Sequence, residues 1–101
     1  MTLTLESPTL KSFIEGVNNI RKEYYASMGY SMPRAIVQAT MGKKYIKLIV
    51  EHSAFAFVDP VTGDIFKPAS WAAPAKHARG NLFDESNGLS NMGPYGPAYL
   101  K

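Results

Sequence analysis

The spacing of apolar residues changes once along this 101-residue chain, and the change limits what it can fold into. Leu10, Phe13, Ile14, Val17, Ile20, Tyr24 and Met28 recur at helical spacings. They trace one stripe on a helix of about 3.6 residues per turn. Lys11, Glu15, Asn18 and Lys22 fall on the other side. Ser7-Pro8 reads as the start, with serine accepting free first-turn N–H bonds and proline fitting the first helical position. Gly29 is a natural stop. The spacing predicts a helix over about Pro8 to Met28, with Gly16 as a weak point inside it.

From Ala35 the period becomes two. Ala35, Val37, Ala39 and Met41 alternate with Ile36, Gln38 and Thr40, and after Gly42-Lys43 the residues Ile46, Leu48 and Val50 alternate with Tyr45, Lys47, Ile49 and Glu51. Two strands joined tightly are expected. Ala54 to Asp59 reads as a third strand, rich in β-compatible residues. Asp59-Pro60-Val61-Thr62-Gly63 is turn chemistry, and Asp64 to Lys67 returns as a short fourth strand. Pro68 ends it. Pro68 to Pro74 is expected to hold one helical turn with Trp71 packed inward, and Arg79 to Phe83 a fifth strand. Residues 84–101, rich in Gly, Pro, Asn and Ser, are expected to be an irregular docked tail.

The expected class is therefore mainly β with an N-terminal helix. A sheet this small hides its inner face by curling into a barrel or by packing the helix over it. The length argues for one domain, with the helix at 8–28 and the β-barrel at 34–83.

Composition narrows the classes. Hydrophobic residues make up 46% and charged residues 19%, a globular balance. There is no cysteine, which excludes disulfides and thiolate zinc sites. No apolar run reaches the roughly 18 residues of a membrane span, and the opening MTLTLESP lacks the form of a secretion signal. A soluble intracellular protein without a membrane partner is the expectation. The net charge is +3, and its excess lies in the middle. Residues 33–83 carry seven cations, namely Arg34, Lys43, Lys44, Lys47, Lys67, Lys76 and Arg79, against the three acids Glu51, Asp59 and Asp64. Local positive potential favours anionic partners.

Signals for catalysis are sparse, and no cofactor is expected. His52 reads as a strand-edge histidine, and Ser53 beside it does not make a triad, which is a spatial arrangement. His77 stands among Lys76 and Arg79, which repel a metal cation. No metal-binding spacing of histidines or carboxylates occurs. Asp59 and Asp64 flank the turn, where aspartates usually bond their own backbone. Gly93-Pro94-Tyr95-Gly96-Pro97 is glycine-rich but stiffened by proline, with no following helix to receive a phosphate. A hydrolase or nuclease would need Glu51, His52, Asp59 and Asp64 to converge.

The basic and aromatic set is the best candidate site. It comprises Lys67, Trp71, Lys76, His77 and Arg79, with Lys43, Lys44 and Lys47 adjacent on the sheet. Single-stranded nucleic acid is held by cations along its backbone and flat side chains on its bases. Trp71 as a core residue is the competing reading, and the lysines as a solvated face or edge protection is another.

Two resemblances add to this. The block YIKLIV…AFAFVDPVTGDIFKPASWAAPAKHARGNLFD, with the closing MGPYGPAYLK, resembles a group of short uncharacterised proteins encoded by tailed bacteriophages. It covers about Lys44 to Lys101 and implies action in the cytoplasm of an infected bacterial host. The architecture, a small, strongly bent antiparallel sheet or barrel, also looks like the Sm-like proteins, RNA binders that assemble as rings, and an SH3-like barrel with a different task fits as well. Their Arg-Gly-Asn type motif is matched by Arg79-Gly80-Asn81. That resemblance implies that Arg79, Gly80 and Asn81 line an RNA-binding pocket, and that copies associate by edge-strand pairing. Where Sm-like proteins commonly carry asparagine in the loop after their aspartate, this chain has Val61-Thr62-Gly63.

The reading is a non-catalytic binder of RNA or single-stranded DNA. Lys67, Lys76 and Arg79 would contact phosphates, Trp71 or His77 would stack on a base, and Asn81 would bond a base edge. The alternative is a protein-interaction or virion-associated module that uses the tail from Met92 to Leu100.

Overall fold

A computed structural model describes residues 2–29, 36–51, 53–89, 92–93 and 96–97. The expected strand-edge His52, Arg34 and residues 90–91, 94–95 and 98–101 of the closing tail lie outside these residues. Helix α1 spans Pro8–Ser27. It is followed by β1 (Gln38–Met41), β2 (Ile46–Val50), β3 (Ser53–Val58), β4 (Asp64–Pro68) and β5 (Pro74–Asn81). These five strands form one antiparallel sheet in chain order. Two short strands, β6 (Met92–Gly93) and β7 (Gly96–Pro97), pair with each other. The main sheet is open, with β1 and β5 as its edges, so the bent sheet under a helix is found rather than the closed barrel. Among the described residues no helix is long and apolar enough to cross a membrane.

Helix α1 begins at proline as expected, but Ser7 does not cap it through its side chain. The Ser7 hydroxyl instead accepts the Thr4 N–H at 2.8 Å, while the Ser7 carbonyl accepts the Lys11 N–H at 3.0 Å. The buried positions of the helix are Leu10, Phe13, Val17 and Arg21. The expected stripe therefore holds for its first half and then departs. Arg21 is buried where Ile20, Tyr24 and Met28 were expected to carry the stripe on, and Met28 is 55% exposed. The Arg21 guanidinium carbon lies 5.6 Å from the Tyr25 ring centre and 6.0 Å from that of Phe55. Its stem packs as an apolar side chain while its head rests against rings.

One face of the sheet meets the helix. Ile46, Leu48, Val58 and Ile65 are fully buried there with Leu10, Phe13 and Val17. Burying a side chain of this size stabilises the fold by about 1.5–3 kcal/mol. Strand β3 contributes Phe55, Ala56 and Val58 to this core because Phe55 is a bulge residue. Leu48 pairs with Ala56 and Ile49 with Ala54, leaving Phe55 without a partner in the ladder. An extra residue breaks strict alternation and bends the strand.

The turn Asp59–Gly63 behaves as its composition implies. Asp59 Oδ1 accepts the N–H groups of Val61 (2.8 Å) and Thr62 (3.2 Å), and Gly63 has φ +79°. Strand β5 departs from expectation, beginning at Pro74 rather than Arg79. Pro74 opens an edge strand, where its missing N–H costs no ladder bond. After β5 the chain turns tightly, burying Leu82 and laying Leu89 against Gly16 of the helix.

Candidate nucleic-acid interface

The sheet face turned away from the helix carries a transverse row. Thr40 pairs with Lys47, Lys47 with Phe57, Phe57 with Phe66, and Phe66 with Ala78. Directly paired residues share a face, so a lysine and two phenylalanines stand side by side there. Tyr45 completes the cluster. Its ring meets Phe57 and Phe66 edge-on, at 6.1 Å and 6.0 Å between centres.

Two turns rise beside this row. The β1–β2 turn is closed by the Gly42 N–H donating to the Tyr45 carbonyl at 2.9 Å. The β4–β5 loop is closed by the Ala69 and Ser70 N–H groups, which both donate to the Ala73 carbonyl, at 2.9 Å and 3.2 Å. The expected helical turn is absent from this loop, and Trp71 at its tip is 51% exposed rather than packed inward. Ala and Ser neighbours form no apolar face that would pull the indole into the core. Instead the Lys47 ammonium sits over it, 3.9 Å from the ring centre. Lys47 also lies 5.8 Å from the Phe57 ring, and Lys44 5.4 Å from that of Tyr45. Such contacts hold each cation on an aromatic face.

Between the two turns lies a trough of about 480 Å³. Lys43, Lys44, Tyr45, Lys47, Phe57 and Pro74 are among its walls, and no carboxylate lines it. On the far side of the Lys47–Trp71 contact is a second hollow of about 320 Å³, bounded by Ser53, Ala54, Pro68, Ala69, Ser70 and Trp71. The trough offers three cations and the half-buried Tyr45 ring to one ligand, Phe57 itself being buried, with no opposing charge in its lining.

The other expected site residues are spread along β4 and β5. Lys76 and His77 are exposed on β5. Lys67 is half-buried, and alternation along β4 turns it toward the Ile65 side, away from Lys47 and Phe66. Arg79 is half-buried at a bulge, because Ile65 pairs with Gly80 and Phe66 with Ala78. Asn81 serves the turn. Its amide nitrogen donates to the Thr62 carbonyl (2.8 Å) and to Asp64 Oδ1 (2.9 Å), while its oxygen accepts the Phe83 N–H (2.7 Å). Trp71 is the one expected residue that joins the trough region, beside the three lysines read as adjacent to it. Tyr45 and Phe57 were not singled out from the sequence. Their signal was an aromatic on the same alternating side as Lys47.

Among the described residues no group of three or more His, Asp or Glu side chains could hold a metal ion.

The profile of a family of unknown function, DUF7717, matches residues 8–95. The chain belongs to that family. The DUF7717 span takes in α1, the whole five-stranded sheet and both hollows. Comparison with curated proteins and with solved structures gives no match.

Proposed function

We propose that this DUF7717 protein binds single-stranded nucleic acid, RNA or DNA, and catalyses no reaction on it. The observation that carries the reading is the trough walled by Lys43, Lys44 and Lys47, with the exposed Trp71 ring held against Lys47. Cations would neutralise phosphates and the aromatic side chains would stack on bases. Lys76 and His77, exposed on β5, would extend the path of the strand. The resemblance to tailed-phage proteins supports a role inside an infected bacterial cell. The resemblance to Sm-like proteins, with β1 and β5 both open edges, supports self-association by edge-strand pairing.

Titration of a labelled single-stranded oligonucleotide at two salt concentrations tests the reading. Binding should weaken as salt rises, because bound phosphates release counterions, with a slope of about 0.7 per phosphate contact. The triple variant Lys43→Ala, Lys44→Ala, Lys47→Ala should lower that slope by about two. Absence of binding at low salt ends the proposal. Light scattering after size exclusion tests the association.

A further inference from the structure

The β4–β5 loop divides its two limbs between the two hollows. Pro68, Ala69, Ser70 and Trp71 bound the smaller one, while Ala72, Ala73 and Pro74 bound the trough. Lys47 lines the trough, Trp71 lines the hollow, and the two touch at 3.9 Å. The Lys47–Trp71 pair is therefore a partition between two neighbouring spaces. The spaces differ in chemistry. The trough has three lysines. The smaller hollow has none, and is bounded by Trp71, Ala54, Ala69, Pro68 and the two serines Ser53 and Ser70. Volumes of about 480 Å³ and 320 Å³ each suit one small unit rather than a wide double helix.

We infer that the protein takes a two-nucleotide single-stranded step across this partition, an inference that rests on the nucleic-acid reading above. The phosphates and one nucleoside occupy the lysine trough. The next base enters the smaller hollow and stacks on Trp71, with its edge toward Ser70, whose hydroxyl both donates and accepts hydrogen bonds. Stacking on Trp71 needs a base whose face is uncovered. In a duplex both faces of an internal base are already stacked, so a duplex can supply one only at its ends.

Trp71 is the sole tryptophan, so its fluorescence reports this position directly. The probes are uridine 5′-monophosphate, the 5′-phosphorylated dinucleotide pUpU, the same dinucleotide with its second base removed, a tetrauridylate and an RNA duplex. The dinucleotide should bind about tenfold tighter than the mononucleotide and quench Trp71. The abasic dinucleotide, with identical phosphates, should lose most of that gain, and the duplex should bind more weakly than the tetranucleotide. Ala54→Leu and Ser70→Leu, which fill the smaller hollow from strand and loop, should each remove the dinucleotide gain while salt-dependent binding of the tetranucleotide persists. Circular dichroism identifies which of the two variants is folded. Equal gains from the dinucleotide and its abasic form overturn the inference and leave the broader reading standing, as does a gain that survives in a folded filling variant. No binding of the tetranucleotide at low salt removes both.

Discussion

Leu89 lies so close to Gly16 that a methyl group on the glycine would collide with the leucine Cδ1. A glycine in the middle of a helix usually costs about 1 kcal/mol relative to alanine. Here it lets the segment after β5 cross the helix. Gly16→Ala should therefore gain none of that 1 kcal/mol in thermal or urea unfolding. In a Leu89→Ala background the same change should stabilise the protein by about 1 kcal/mol. Equal effects in both backgrounds would show that the contact does not matter.

Arg21 is only 6% exposed and rests against Tyr25 and Phe55. Arg21→Ala should destabilise the fold by about 2 kcal/mol, through lost packing and lost cation–π attraction. Arg21→Met keeps most of the stem and should cost about half as much. Urea midpoints of the two variants measure the difference, and identical losses would rule out a role for the stem.

Asn81 joins the ends of β4 and β5 to the Asp59–Gly63 turn. Asn81→Ala leaves the Phe83 N–H and its other partners without the amide and should cost about 2 kcal/mol. Oligonucleotide affinity of the folded variant should stay at the wild-type level, because the amide nitrogen and oxygen are both engaged in bonds to the turn and to Phe83. A large loss of affinity at unchanged stability would support the base-edge contact that the Arg79-Gly80-Asn81 match implies.

The Asp84 carboxyl is held below its ordinary pKa, chiefly by the Gly88 N–H, then by the Ser86 hydroxyl and N–H. Desolvation works in the opposite sense and outweighs the Ser86 N–H alone, but not the Gly88 N–H or the Ser86 hydroxyl. The unfolded chain thus binds this proton more readily than the folded one, so stability from these bonds is present above the ordinary aspartate pKa of about 3.9. It is lost as pH falls through the lower folded value. Asp84→Asn should flatten the acid limb of melting temperature against pH and leave the neutral region nearly flat. An unchanged acid limb would assign acid sensitivity elsewhere.

Much of the scaffold could be read directly from residue order. Pro8 opens the helix, and the alternation of Ile46 and Leu48 with Lys47 sets one face of β2 inward. Asp59 and Gly63 define a turn through local bonds that need no distant partner. The misses have a common cause, which is tertiary context. Arg21 is buried because two rings, one from a distant strand, shelter its charge. Strand β5 has little intrinsic β preference from Pro74 to Ala78 and two irregular steps in its register with β4, so no alternation marks it. For Trp71 residue order leaves both a core position and an exposed stacking position open, and what distinguishes them is tertiary, including a contact with Lys47, 24 residues earlier in the chain. The trough needed Tyr45 and Phe57 to be brought together by strand pairing, which sequence spacing alone does not express.

The strand order of the main sheet has a consequence for how the protein is made. Every strand is hydrogen-bonded only to its immediate predecessor and successor. No piece of that sheet has to wait for a distant segment to be synthesised, so hairpins can be added one after another as the chain leaves the ribosome. Local wiring of this kind favours rapid folding. The segment after β5 follows the last hairpin in chain order, and it closes the fold by burying Leu82 in the core and setting Leu89 against Gly16 of the helix.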